Sequence, residues 1–185
     1  QMEAQGQSVI HMEIGEPDFP TPDAIIRAGM QALQQGQTRY TASKGLPELR
    51  QAIADYYAQR YQVNIDSARI IVTPGASGAL QLALGALIGR DDEVLLADPT
   101  YPCNRHLISL VEGTPVAITT SPENGFQPSA AQIAAHWTDR TRAVMLATPA
   151  NPTGSTVPRQ SMQAIAELVA QRQGTLIVDE IYQGL

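Results

Sequence analysis

The chain has 185 residues, 43% of them hydrophobic and 16% charged, a composition that supports a substantial core and fits one large domain. Acidic residues outnumber basic ones 18 to 12, and a formal charge of −6 argues against a broad nucleic-acid or anionic-membrane surface, which needs clustered Lys and Arg. The single cysteine, Cys103, excludes an internal disulfide framework and an all-cysteine zinc site.

Among the basic residues only Lys44 is a lysine, so any chemistry that requires an amine side chain has one candidate here. Residues Gln1 to Gly6 show neither a basic region nor an apolar one, so no targeting leader is expected. The apolar run from Leu80 to Ile88 is too short to cross a bilayer, and a cytoplasmic location is expected. A start at Gln rather than Met reads as a trimmed end.

In chain order, Val9 to Ile14 reads as a strand ending at Gly15. Thr21-Pro22-Asp23 offers an N-cap, a first-turn proline and a first-turn acid. Ile26, Met30 and Leu33 then follow at helical spacing until Gly36. A second helix begins near Pro47-Glu48, with Leu49, Ile53, Tyr56 and Tyr57 on one face. Arg69 to Thr73 reads as a β-branched strand that turns at Pro74-Gly75 into a helix over 76–88. That helix is apolar on nearly every side, which predicts burial. Further strands are expected at Glu93–Ala97, Val116–Thr119, Ala143–Ala147 and Leu176–Val178, with helices near 104–111, 129–136 and 159–172 between them.

Strands apolar on both faces and joined by helices predict an α/β fold, a three-layer α/β/α arrangement with a mainly parallel sheet. Ligands in such sheets sit beyond the carboxyl ends of the strands. The residues just past each strand are Gly75-Ala76-Ser77-Gly78, Asp98-Pro99-Thr100-Tyr101, Thr148 to Gly154 and Asp179-Glu180-Ile181-Tyr182, four polar segments expected on one edge.

Each segment alone has an ordinary reading. The Gly75 turn suits anion binding at a helix N-terminus, or simply a tight strand-to-helix turn, and it carries neither a dinucleotide nor a P-loop fingerprint. Asp179 is either a turn acid or a buried anion that keeps a ring nitrogen protonated. A metal there is not expected, since His11, His106 and His136 are scattered. Asn151-Pro152-Thr153-Gly154 is a good turn sequence, Tyr101 and Tyr182 could be packing aromatics, and Cys103 reads as a packed thiol.

Together, and in this order, the segments resemble the class I/II aminotransferases, the fold-type-I pyridoxal phosphate (PLP) enzymes. The matching residues are Gly15-Glu16-Pro17-Asp18-Phe19, Tyr40, Lys44-Gly45-Leu46-Pro47-Glu48-Leu49-Arg50, the Gly75 turn, Pro99-Thr100-Tyr101, Asn151-Pro152-Thr153-Gly154 and Asp179-Glu180-Ile181-Tyr182.

The resemblance implies that Gly75, Ala76 and Ser77 hold the cofactor phosphate and that Tyr101 stacks on its ring. Asp179 would pair with the ring nitrogen, and Asn151 and Tyr182 would bond the phenolic oxygen. Tyr40 would reach a partner subunit across a homodimer interface, and the Gly15 backbone would lie near the substrate carboxylate. Asn151–Pro152 and Asp98–Pro99 become candidates for cis peptide bonds. The implied reaction moves an amino group between an amino acid and a 2-oxo acid. Residues 1–20 would form an arm at or beside the small domain, and 21–185 the N-terminal part of the large PLP-binding domain.

The family's lysine that links covalently to the cofactor lies beyond the Asp-Glu-Ile-Tyr segment, and Lys44 matches no such position. The chain is therefore expected to carry the noncovalent cradle, no catalytic residue, and no amino-transfer activity alone. An unfinished sheet would leave an exposed edge or apolar helix face, so self-association or a second polypeptide is expected. Other readings of the same cradle are a carbon–sulfur lyase and a non-catalytic sensing domain of a transcription regulator. A cofactor-free nucleotide-binding domain is the weakest alternative, for want of a fingerprint.

Overall fold

Val94, Leu95, Leu96 and Ala97 are consecutive and all buried, which requires a strand covered on both faces. A computed structural model, which describes residues 1–11 and 19–184, shows how that is achieved. The chain divides into two compact units, Gln1–Leu46 and Pro47–Leu185.

The first unit contains α1 (Asp23–Gln34). Its start corrects the sequence expectation by one residue. Pro22, with ψ 139, is not yet helical and takes the cap position itself, without a side-chain capping bond, so Thr21 is not the cap. Ile25, Ile26, Met30 and Leu33 lie on the exposed surface of this helix. Of the strand expected over Val9 to Ile14, Val9, Ile10 and His11 are in no strand, and the remainder, with Gly15, falls at residues 12–18, outside those described.

The second unit begins with α2 (Pro47–Tyr61) and continues through α3 (Gly75–Leu87), β1 (Glu93–Asp98), α4 (Cys103–Leu110) and β2 (Thr114–Thr119). It ends with α5 (Ala130–His136), β3 (Thr141–Ala147), α6 (Arg159–Gln171) and β4 (Thr175–Asp179). The four strands are parallel in the order β2-β1-β3-β4. Leu95 sits opposite Val116 on one side and Val144 on the other, and Val144 opposite Leu176.

Alternation along the strands divides the core into two layers. Val94, Leu96, Ala143 and Met145 meet Leu80, Leu84 and Ile88 from α3 and its end, and Ile108 from α4. Leu95, Ile118, Val144 and Leu146 meet Ile133 of α5 and Ile165 and Val169 of α6. Each fully buried aliphatic side chain contributes roughly 1.5–3 kcal/mol relative to exposure, so these two layers carry the fold.

Two expectations are corrected. Arg69 to Thr73 is not a strand: Ser67–Arg69 form a 3-10 turn capped by the Asp66 carboxylate, and Ile70 is extended. A strand needs a hydrogen-bonded neighbour, and among the described residues none lies beside 70–73. The α3 helix is not buried all round either. Only Leu80 and Leu84 are buried within it, while Leu82 is 59% exposed, because a single sheet face covers one side of it.

α3 runs antiparallel to β1. Its C-terminal Ile88 packs by Gly113 at the amino end of β2, so its N-terminus points toward the carboxyl ends of the strands.

Candidate functional site

The carboxyl ends of β1, β3 and β4 are Asp98, Ala147 and Asp179, and the ladder pairs Ala147 directly with Asp179. The segments that leave these strands form one polar edge.

At β4, Asp179 is half-buried and accepts a hydrogen bond from the Ile181 N–H on Oδ1 at 3.0 Å. Gln183 N–H bonds the Glu180 carbonyl at 2.8 Å, closing a turn that carries Tyr182. One carboxylate oxygen of Asp179 thus shapes its own turn.

At β1, Asp98 is fixed twice. Its carboxylate meets Arg105 at 2.8 Å, and its carbonyl accepts from both the N–H and the hydroxyl of buried Thr120. Tyr101 follows, half-buried, and its phenol is pushed above its ordinary pKa, first by a hydrogen bond with the Cys103 thiol and also by the neighbouring Tyr182. Cys103 itself is a free, half-buried thiol at the start of α4.

At β3, the chain turns through Thr148 to Ser155. Ala150 N–H bonds the Ser155 carbonyl at 2.8 Å and Gly154 N–H bonds the Ala150 carbonyl at 2.7 Å, with Gly154 at φ +68. Asn151 rides on this braced turn. Peptide bonds before Pro99 and Pro152 are cis, as the sequence expectation has it, and the bond before Pro149 is cis as well.

The α3 N-terminus opens with Gly75 at φ +80, a left-handed conformation that a side chain would strain. Thr73 supplies both partners of that residue: its carbonyl accepts from the Gly75 N–H and its hydroxyl donates to the Gly75 carbonyl. Pro74, at the cap position, offers no side-chain acceptor, so the first-turn N–H groups of Ala76 and Ser77 face outward without a cap.

Tyr40 belongs to the first unit, and its side chain is fully exposed. Gly15 lies outside the described residues. Among the described residues no cluster of His, Cys, Asp and Glu could hold a metal. Among the described residues no helix is long and apolar enough to cross a membrane.

Sequence reasoning missed three buried polar residues beneath this edge: Asn104, Thr120 and Gln127. Asn104 follows Tyr101 closely enough to have been suspected. Nothing local marks Thr120 or Gln127, whose burial depends on the β2–α5 connection folding back over the strand ends.

A family model, aminotransferase class I and II, matches residues 7–185. The chain belongs to that family. It is 37% identical over 184 residues to the (5-formylfuran-3-yl)methyl phosphate transaminase of Methanocaldococcus jannaschii, covering 100% of this chain and 46% of that protein. Among solved structures, the alanine aminotransferase of Pyrococcus furiosus superposes with a TM-score of 0.94 at 35% identity, covering 100% of this chain and 48% of that one. An aspartate aminotransferase from Thermus thermophilus with maleate superposes with a TM-score of 0.93 at 33% identity, covering 97% and 47%. This class I/II aminotransferase chain thus spans about half the length of the relatives it matches, and its parallel sheet is that of the aspartate-aminotransferase-like PLP transferases.

Proposed function

We propose that this chain forms the noncovalent PLP cradle of an aminotransferase that moves an amino group between an amino acid and a 2-oxo acid. The observation that carries this reading is the shared edge at which the segments bearing Tyr101, Asn151, and Asp179 with Tyr182 leave the carboxyl ends of β1, β3 and β4, neighbours in one parallel sheet, with the Thr148 N–H on the Asp179 carbonyl at 2.9 Å.

The donor set fits PLP. The uncapped first turn of α3 offers N–H groups and partial positive charge to a phosphate, with the Ser77 hydroxyl beside them and Gly75 allowing close approach. Asp179 has a carboxylate oxygen to pair with a protonated ring nitrogen, which that pairing favours. Asn151 and Tyr182 supply an amide and a phenol as donors to the ring oxygen, and Tyr101 supplies an aromatic face. When bound, the cofactor supplies an electron sink for the substrate's Cα.

Lys44, the only lysine, matches no position of the family's covalent lysine, which lies beyond the Asp-Glu-Ile-Tyr segment. We therefore assign the chain a binding role and no amino-transfer activity by itself. The same reading gives Tyr40, wholly exposed, to the interface of a homodimer, and Gly15 to the substrate carboxylate. It places residues 1–20 with an arm and 21–185 in the large domain of a cytoplasmic enzyme.

A PLP titration followed by absorbance tests the cradle, with borohydride reduction and intact mass as its second half. Saturable binding that Asp179→Ala weakens about tenfold or more, with no pyridoxyl adduct after reduction, is the expected result. A wild-type chain that leaves the PLP spectrum unchanged sinks the reading, and a specific adduct on Lys44 sinks the noncovalent part.

A further inference from the structure

Gln127 is 7% exposed, one of few buried polar side chains, and lies in no element of the sheet. Its Nε2 donates to the Ala147 carbonyl at 3.0 Å and is shared between the Ser155 carbonyl at 3.3 Å and hydroxyl at 3.4 Å. The orientation of the amide follows from its partners, because two backbone carbonyls only accept and the nitrogen must face them. The Ser155 carbonyl also accepts from the Ala150 N–H. One oxygen therefore joins Gln127 to the residue that precedes Asn151.

The backbone that delivers Gln127 is strained. Gly125 and Phe126 adopt φ +64 and +56 in succession, and a bulky aromatic rarely takes a left-handed conformation, at a cost of about 1–2 kcal/mol. The turn is held by the Ser121 N–H on Asn124 Oδ1 at 3.0 Å and by the Phe126 N–H on the Ser121 carbonyl at 2.9 Å. Such strain persists where surroundings over-determine it. Here it drives Gln127 inward across the end of β3.

We propose that Gln127 is a positioning residue: it clamps both ends of the 147–155 turn and so sets where Asn151 stands in the site. This rests on the cofactor reading for what Asn151 touches, while the clamp itself is a property of the protein without ligand. The role is not merely packing, since the donors go to the two points where the turn leaves and rejoins the fold.

Amide hydrogen exchange on the ligand-free chain, followed by PLP titration of the same samples, tests it in wild type, Gln127→Met and Gln127→Glu. Met keeps the volume and removes the donors, and Glu keeps the shape while setting acceptors against acceptors. Protection at Ala150 and Gly154 is expected to fall about tenfold in Gln127→Met and further in Gln127→Glu, with PLP affinity falling in the same order. Unchanged protection in both variants, or equal losses in the two, overturns the proposal. If neither variant folds, the wild-type side-chain amide decides: slow exchange of the Gln127 NH2 supports the clamp, and exchange as fast as an exposed glutamine refutes it. A wild-type chain that fails to bind PLP removes the cofactor reading alone and leaves the clamp to the exchange data.

Discussion

The N–H of Thr148 donates to the carbonyl of Asp179 at 2.9 Å, immediately past the last residue pair of the β3–β4 ladder. That bond ties the turn carrying Asn151 to the strand end carrying Asp179. Displacement of one segment is thereby felt by the other.

The charge and the turn-forming role of Asp179 can be separated. Asp179→Asn retains an Oδ1 acceptor for the Ile181 N–H and loses the negative charge, whereas Asp179→Ala loses both. PLP affinity is expected to fall about tenfold or more in each, the scale of a charge-assisted bond, while only the Ala variant also lowers the thermal midpoint. An Asn variant that binds PLP as the wild type does would remove Asp179 from the ring nitrogen. Titration by absorbance and a melting curve on the same preparations decide this.

How far the sequence revealed the site depends on the range of its determinants. Apolar runs set between helical patterns marked all four strands, and β2 and β3 each begin two residues before their expected starts: the Thr114 N–H extends one ladder by bonding the Asp92 carbonyl at 2.8 Å, and Thr141 extends the other by pairing with Glu93. The edge positions of Tyr101, Asn151, Asp179 and Tyr182 were legible because strand ends in a parallel sheet share an edge, while the cofactor roles proposed for them come from the family resemblance. Residues 70–73 misled, since β-branched composition reports a preference for extended backbone while a ladder needs a neighbour. Gln127 and Thr120 were invisible because their partners, Ser155 and Asp98, are 28 and 22 residues away.

Glu93 anchors the opposite end of β1. Its buried carboxylate accepts from the hydroxyls of Thr138 and Thr141 and meets the Arg140 guanidinium at 2.8 Å. The Thr138 hydrogen bond, ahead of Arg140, holds the carboxyl below the usual glutamate range despite burial. A group depressed on folding stabilises the protein above its unfolded pKa, about 4.3, and loses that contribution as pH falls through the lower folded value. Glu93→Gln is expected to cost about 2 kcal/mol at neutral pH and to flatten the acid limb of a stability-against-pH curve. An acid limb identical in the two proteins would show that other carboxylates account for it.

Gly174 turns the chain from α6 into β4, and a Cβ there would stand 2.5 Å from the Trp137 ring and 3.2 Å from the Arg142 carbonyl. The backbone carbonyl cannot yield, so the indole must. Gly174→Ala is expected to destabilise by about 1–3 kcal/mol, with a shift in emission from the sole tryptophan. A variant with wild-type emission and stability would mean that the ring has room to rotate.

Self-association should follow from apolar surface. Along α1, Met30 and Leu33 are 56% and 67% exposed, and Ile25 beside them 61%. On the other unit, β4 is a sheet edge whose residues are all half-buried, with Leu176 and Ile177 each packed against one core layer. An open edge can pair with another chain and an apolar helix face can pack on one, so either could drive association. The two are separable, because the double variant Met30→Gln, Leu33→Gln alters the helix and leaves the edge intact. Sedimentation coefficients are expected to rise with concentration in the wild type and to rise less in the variant, with no drop in thermal midpoint, as both side chains are already mostly in water. Equal concentration dependence in the two would remove the α1 face as the cause, and a flat profile in the wild type would refute association altogether.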